Sequence, residues 1–150
     1  MPSVDVNGIS VYYERSGTGR PLLFLNGSGS TLESSRLLID VFRSRFDVVA
    51  HDQRGLGRTA VPAGPFTMAD YAADALALLD AVGWSTCRVV GVSFGGMVAQ
   101  ELAVTAPHRV ERLGGLPGGR KECRCGLRQA RSGGRIGRSR GRDRSVRRHR

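Results

Sequence analysis

The chain has 150 residues, 40% of them hydrophobic, which is enough for one domain with a buried core and excludes disorder over the whole length. Its net charge of +10 is unevenly distributed: residues 1–113 carry 10 basic and 11 acidic side chains, and residues 114–150 carry 13 basic and 2 acidic ones. Because the first part is close to neutral, a basic nucleic-acid-binding domain that includes the whole chain is excluded.

Neither secretion nor membrane insertion is indicated. The first ten residues have no apolar region typical of a signal peptide, and no apolar run is long enough to cross a bilayer. Three cysteines are too few for a disulfide framework, and Cys123 and Cys125 have no second ligand pair that would complete a zinc site. We therefore expect a cytoplasmic protein without a metal ion.

The first predicted elements are a hairpin and a pair of buried strands. Residues 4–6 and 9–14 flank Asn7-Gly8, a dipeptide that favours a two-residue turn with positive φ. Residues 21–25 form an uninterrupted apolar run, typical of a strand that is buried on both faces of a parallel sheet. Apolar residues from 32 to 42 then follow helical spacing, and residues 46–51 predict a second buried strand.

The alternation of strands and helices continues in the following segment. Thr67 and Asp70 have the spacing of a capping box, which predicts the start of a helix that ends near Gly83. A buried strand, a helix stopped by Pro107 and the start of another strand follow at residues 87–92, 95–106 and 110–113. This pattern predicts an α/β fold with a mostly parallel sheet.

The pattern is lost at residue 114. Residues 114–150 contain nine glycines and no aromatic residue, and they cannot bury enough apolar surface to offset the entropy cost of ordering. We therefore expect a domain at residues 1–113 and a disordered tail at 114–150. A shifted reading frame in GC-rich DNA would produce such a tail. Alternatively the tail is genuine, and the chain is a non-catalytic protein that binds nucleic acid or other polyanions in a salt-dependent way.

One motif indicates catalytic chemistry. Gly91, Ser93 and Gly95 match the G-x-S-x-G nucleophile elbow, in which a serine occupies a sharp turn between a strand and a helix. The same pattern recurs around Ser139, but there it lies among arginines, with no strand before it and no helix after it. At Ser93 the hydroxyl would lie at the carboxyl edge of the sheet, beside a helix N-terminus that stabilises negative charge.

A dinucleotide-binding motif is a competing interpretation. Residues 55–60 fit G-x-G-x-x-A after a predicted strand. That motif requires a helix to begin within it, and residues 61–65 contain two prolines that prevent such a helix. We therefore reject this interpretation.

Three motifs together carry a family resemblance. They are the elbow, Leu-Phe-Leu-Asn-Gly-Ser-Gly at residues 23–29 and Asp-Gln-Arg-Gly-Leu-Gly-Arg-Thr at residues 52–59. With them, residues 1–113 resemble the N-terminal half of enzymes of the α/β-hydrolase fold superfamily, in particular small esterases, 3-oxoadipate enol-lactonases and cofactor-free haloperoxidases. The resemblance implies a sheet flanked by helices and truncated after about the sixth strand, a small ester or lactone as substrate, and no cofactor.

The resemblance also implies roles for single residues. Ser93 matches the nucleophile that forms an acyl-enzyme, and Gly91 and Gly95 match the small residues of the elbow. The backbone amides of Ser28 and Phe94 would form the oxyanion hole. Family members usually have His where this chain has Asn26, and we interpret Asp52 and Arg54 as residues that shape a turn.

The base and acid of the catalytic triad have no clear counterpart. In this family the acid and then the histidine follow the serine along the chain. We interpret His51 as a strand-end residue and His108 as a loop residue. Asp143 and His149 have the required order but lie in the basic tail. We therefore expect poor solubility and little or no turnover from this chain alone, and its oligomeric state stays open.

Overall fold

The computed structural model describes residues 2–116, which form six strands, three α-helices and one 3-10 helix. In chain order the elements are β1 (Ser3–Val6), β2 (Ile9–Ser16), β3 (Arg20–Leu25), α1 (Arg36–Arg43), β4 (Phe46–His51), α2 (Met68–Ala81), β5 (Cys87–Val92), α3 (Phe94–Thr105), a 3-10 helix (Pro107–Arg109) and β6 (Val110–Leu116).

The strands form one mixed sheet in the order β1-β2-β4-β3-β5-β6. The hairpin β1–β2 is antiparallel, and β2 also pairs antiparallel with β4. The four strands β4, β3, β5 and β6 are parallel, so their carboxyl ends lie at one edge of the sheet. Among the described residues, β6 is the strand at one side of the sheet and β1 the strand at the other.

Helices cover the two faces unequally. On one face α2 and α3 pack over the central strands around residues such as Leu23, Val89 and Leu102. On the other face α1 packs over β3 and β4, where Phe24 and Ile39 lie in the core. A sheet with helices on both faces explains why β3 is an apolar run without alternation: its last four residues are all buried.

The predicted fold class is confirmed. The hairpin turns at Asn7 and Gly8, which both have positive φ (49° and 77°). The strands predicted at residues 46–51 and 87–92 have the predicted bounds. The capping box is present as well: the Thr67 hydroxyl accepts from the Asp70 amide, and the Asp70 carboxylate accepts from the Thr67 amide at 2.7 Å.

Most other element boundaries differ from the prediction by one or two residues, and two differ by more, the start of α1 and the end of β6. Leu32 is not part of α1, which begins at Arg36; Leu32 lies in the preceding loop, where its amide donates to the Asp52 carboxylate at 2.7 Å instead of to a helical carbonyl. Strand β6 continues three residues past residue 113, because the ladder with β5 extends to the pair Val92 and Leu116. Backbone pairing alone sustains this extension, since two of the three added residues are glycines.

Several predictions concern residues outside the described ones. Residues 117–150, which make up most of the predicted tail, are among them, and so are Cys123, Cys125, Ser139, Asp143 and His149. Within residues 2–116 the longest helix is α2 with 14 residues, and no helix there has the length and apolar character needed to cross a bilayer.

Candidate active site

The carboxyl ends of the parallel strands bring together the three sequence motifs. Asn26 follows β3, Asp52 follows β4 and Ser93 follows β5. In open α/β sheets, ligands bind at this edge, outside the carboxyl ends of the strands. The motifs at 23–29, 52–59 and 91–95 are far apart in sequence, and the sheet order β4-β3-β5 makes them neighbours.

Ser93 occupies a strained turn between β5 and α3. Its φ of 49° and ψ of −111° are rare for a residue with a side chain, and such a conformation persists only where the surroundings hold it. Its amide donates to the Leu116 carbonyl at 3.2 Å, and its carbonyl accepts from the Gly96 amide at 2.9 Å. Ser93 is exposed, and its hydroxyl does not cap α3. The turn therefore presents a free hydroxyl at the N-terminus of a 12-residue helix.

Gly91 and Gly95 allow the chain to pass closely around this turn. A Cβ atom on Gly91 would overlap the backbone of Gly95, and a Cβ atom on Gly95 would overlap the carbonyl groups of Leu25 and Asn26. Helix α3 therefore begins in direct backbone contact with the end of β3. A larger residue at either glycine would push the helix away from the sheet.

The loop after β3 lies beside the elbow. Gly27 is buried, and a Cβ atom built on it would meet the Val92 carbonyl at 3.4 Å. The next residue, Ser28, is exposed. This loop therefore runs past the end of β5 immediately before the chain reaches Ser28. Phe94, the first residue of α3, lies on the other side of Ser93.

Asp52 shapes the loop after β4 through backbone contacts. One carboxylate oxygen accepts from the Leu32 amide at 2.7 Å, and the other accepts from the Arg58 amide at 3.0 Å. Gly57 has positive φ (54°) and packs on this carboxylate, where a Cβ atom would overlap it. No helix begins between residues 55 and 67, which agrees with rejection of the dinucleotide motif.

Arg54 forms a buried ion pair that sequence analysis did not predict. Its guanidinium donates to both carboxylate oxygens of Asp74 on α2, at 2.7 and 2.8 Å, and both side chains are almost fully buried. The same guanidinium lies over the rings of Phe66 and Tyr71. The Tyr71 and Phe94 rings meet edge to face, with their centroids 5.1 Å apart. The residue after Ser93 is thus packed against a framework that joins the β4 loop to α2.

Asn26, His51 and Gln53 form a second buried polar cluster at the ends of β3 and β4. Gln53 donates its side-chain amide to the main-chain carbonyl of Asn26 at 2.7 Å. Burial lowers the pKa of His51 from 6.5 to about 4, although Asp74 and Asp52 oppose the shift. The histidine is therefore neutral near pH 7. In the sequence, the only sign that His51 is buried is its position at the end of a buried strand.

The two histidines of the described part are badly placed to serve Ser93. His51 is 2% exposed, and its ring lies in the interior. His108 lies in the 3-10 helix just before β6, at the opposite edge of the sheet from Ser93. Residues 2–116 also contain no group of three or more His, Cys, Asp or Glu side chains arranged to hold a metal ion.

Comparison with known proteins identifies the family. A sequence model described as the alpha/beta hydrolase fold matches residues 20–115. The chain belongs to the α/β hydrolase fold family. That match includes all three motifs at the carboxyl edge of the sheet.

Relatives of this α/β hydrolase chain are considerably longer. RutD from Azorhizobium caulinodans is 34% identical over 113 residues, covering 75% of this chain and 43% of RutD. The 3-oxoadipate enol-lactonase 2 of Acinetobacter baylyi is 32% identical over 92 residues, covering 61% of this chain and 34% of the lactonase. The chain therefore spans less than half the length of these two relatives.

A solved structure shows the same relation. The enol-lactonase from Burkholderia xenovorans LB400 superimposes with a TM-score of 0.71 at 28% sequence identity. The match covers 75% of this chain and 45% of that enzyme. The described residues of this chain thus share the fold of a lactone-cleaving enzyme over nearly half of its length.

Proposed function

We propose that this chain carries the nucleophile and the oxyanion donors of a serine hydrolase that acts on a small ester or lactone. The observation that carries the proposal is the strained conformation of Ser93 at the junction of β5 and α3. Strain of this kind costs about 1–3 kcal/mol and is concentrated at functional sites. The enol-lactonases among the relatives support an ester or lactone as the substrate.

In this proposal the Ser93 hydroxyl attacks the carbonyl carbon of the substrate. As the new C–O bond forms, a base accepts the hydroxyl proton, and the carbonyl oxygen becomes an oxyanion. The backbone amides of Ser28 and Phe94 donate to that oxyanion, assisted by the N-terminus of α3. Cleavage of the ester C–O bond then frees the alcohol oxygen, which takes the proton back from the base, and leaves an acyl-enzyme on Ser93. A simple ester releases the alcohol at this step, whereas a lactone keeps it as a hydroxyl on the acyl group. Water hydrolyses the acyl-enzyme and restores the free serine.

The base has to come from outside residues 2–116. His51 is buried, and His108 is at the far edge of the sheet. In the family, the acid and the histidine follow the serine along the chain. Without a base, the oxyanion donors still provide part of the rate acceleration, about 10³-fold to 10⁴-fold over water in well-studied serine hydrolases.

The test is covalent labelling of the full chain with a fluorophosphonate, followed by peptide mass mapping. In this reaction a bond forms between Ser93 Oγ and phosphorus, the P–F bond breaks, and fluoride and a proton leave. We expect the label on Ser93, slowly but faster than on other serines. Ser93→Ala should remove it. Ser139→Ala, in the second G-x-S-x-G sequence, is the matched control and should leave it unchanged. Labelling that survives Ser93→Ala, or a folded chain that is not labelled, would contradict the proposal.

A further inference from the structure

Two buried amide side chains lie at the carboxyl ends of β3 and β4 and have no role in the proposed chemistry. Asn26 is 0% exposed and Gln53 is 1% exposed. A primary amide is costly to bury unless its polar atoms find partners. Each amide nitrogen donates a hydrogen bond, whereas Asn26 Oδ1 and Gln53 Oε1 have no partner among the described residues, so the contacts of the two nitrogens indicate the role of these side chains.

The two side chains extend the pairing of β3 and β4 beyond its last backbone pair, Phe24 with Ala50. Gln53 Nε2 donates to the main-chain oxygen of Asn26 at 2.7 Å. In the other direction, Asn26 Nδ2 donates to the main-chain oxygen of His51 at 3.3 Å. Side-chain amides thus hold together two strand ends that no longer share backbone hydrogen bonds.

The main-chain carbonyl of Asn26 is held from two sides. Gln53 donates to it, and Gly95 of α3 packs directly against it, since a Cβ atom on Gly95 would overlap this oxygen. The carbonyl belongs to the peptide unit that joins Asn26 to Gly27, so its orientation sets the direction in which the chain continues to Ser28. One atom therefore links the start of the Ser28 loop to the elbow helix.

The far end of the same loop is held by the residue next to Gln53. Asp52 accepts from the Leu32 amide at 2.7 Å. Gln53 therefore fixes the loop where it begins, at Asn26, and Asp52 fixes it where it ends, at Leu32. Between these two anchors the loop contains an internal turn in which the Ser30 amide donates to the Gly27 carbonyl at 3.2 Å.

We infer that Gln53 is a positioning residue: its hydrogen bond to the Asn26 carbonyl holds the loop of residues 27–31 so that the Ser28 amide is directed towards the reaction centre at Ser93. The inference rests on the proposed function. Gln53 does not touch the substrate and acts only through the backbone of Asn26.

The experiment compares two glutamine substitutions in the full chain. Gln53→Met keeps the approximate size of the side chain and removes the donor. Gln100→Met makes the same change at an exposed position of α3. Amide hydrogen exchange reports how firmly the loop is held, and the rate of fluorophosphonate labelling reports whether its amides are in place.

In Gln53→Met we expect the amides of Ser30 and Thr31, which donate to the Gly27 carbonyl and to the Ser34 hydroxyl, to exchange about tenfold faster, because one hydrogen bond that closes the loop has been lost. Labelling of Ser93 should slow by about tenfold or more at a temperature where the variant is fully folded, since misplaced oxyanion donors stabilise less charge. Gln100→Met should change neither rate. A residue with only a structural role would lower the unfolding temperature but leave labelling of the folded protein unchanged.

A second measurement on the unmodified chain covers the case in which Gln53→Met does not fold. We expect the side-chain amide hydrogens of Gln53 to exchange much more slowly than those of Gln100, and NMR measures both rates. Equal exchange of the two side chains, or unchanged exchange of the Ser30 and Thr31 amides in a folded Gln53→Met, would overturn the inference. If Ser93 of the wild-type chain is not labelled, the proposed function fails, whereas the exchange measurements still decide whether Gln53 holds the loop.

Discussion

Asn7 and Ser93 are the two non-glycine residues with positive φ among residues 2–116, and different forces hold them there. Asn7 lies in a two-residue hairpin turn, where asparagine is well tolerated, and its side chain donates to Asp74 at 2.9 Å. Ser93 has no such local reason. Tertiary contacts impose its conformation: pairing with Leu116 on β6 and close packing of α3 on β3 through Gly95.

Adjacent glycines in α3 allow this packing to be tested. In Gly95→Ala the added Cβ atom would overlap the Leu25 and Asn26 carbonyls, which belong to rigid backbone. We expect the free energy of unfolding to fall by about 1–3 kcal/mol, the usual cost of overpacking a core. Fluorophosphonate labelling of Ser93 should fall as well, because the elbow has to move. Urea unfolding and labelling rates measure the two effects.

Gly96→Ala is the matched control one residue further on. A Cβ atom there meets only the Gly91 carbonyl, at 3.6 Å, which is an ordinary contact. Since alanine is favoured over glycine inside a helix, this variant should be more stable than the wild type by about 0.5–1 kcal/mol. Equal effects of the two substitutions would contradict the role we assign to close packing at Gly95.

Among the elements, α1 and α2 begin in different ways. Helix α2 has a complete capping box at Thr67 and Asp70, and these hydrogen bonds hold the pKa of the Asp70 carboxyl below its usual value. Helix α1 begins after Ser35, whose side chain makes no capping hydrogen bond. The stronger start belongs to the helix that carries Asp74 and Tyr71, the residues that support Arg54 and Phe94.

Because only α2 has a capping box, replacing the residue before each helix with alanine should lower the free energy of unfolding by different amounts. Thr67→Ala removes a capping bond and should lower the free energy of unfolding by about 1 kcal/mol. Ser35→Ala removes a hydroxyl that does not cap, so its effect should stay within about 0.5 kcal/mol. Urea unfolding of both variants, followed by circular dichroism, measures this. A larger loss in Ser35→Ala would show that the capping box does not anchor α2.

At the scale of the whole molecule, His51 makes stability depend on pH. The pKa of this histidine is about 4 in the folded chain, because burial disfavours the charged ring, against 6.5 for an exposed histidine. Between these two values the unfolded chain binds a proton that the folded chain does not. Stability should therefore decrease as the pH falls from 6.5 to 4, by about 3 kcal/mol for this group, and no further below that range.

Unfolding measured at several pH values between 7 and 4 tests this prediction. His51→Gln removes the titrating group, so its stability should fall less over this range than that of the wild type. His108→Gln, a change in the 3-10 helix, should keep the wild-type pH dependence. The same slope in His51→Gln and wild type would show that other groups cause the acid sensitivity.

Short-range patterns in the sequence determined most of the secondary structure elements. Asn7-Gly8 specified the hairpin turn, Thr67 and Asp70 the start of α2, and the apolar runs the buried strands, because each depends on residues only a few positions apart. The site around Ser93 is a prediction of the same kind: G-x-S-x-G between a strand and a helix was sufficient to propose it, and the labelling experiment is its test.

Tertiary structure alone decided the contacts between distant segments. The pairing of Gln53 with Asn26 joins residues 27 positions apart, and that of Arg54 with Asp74 joins residues 20 positions apart. Similarly, Leu32 lies in a loop and not in the predicted helix, because its amide donates to Asp52, and β6 is longer than predicted because it pairs along β5. No spacing in the sequence encodes such pairs, because they form only after the order of the strands has brought the loop ends together. The sequence alone thus determined the elements and the candidate nucleophile, and the sheet order determined which side chains meet at the carboxyl ends of the strands beside it.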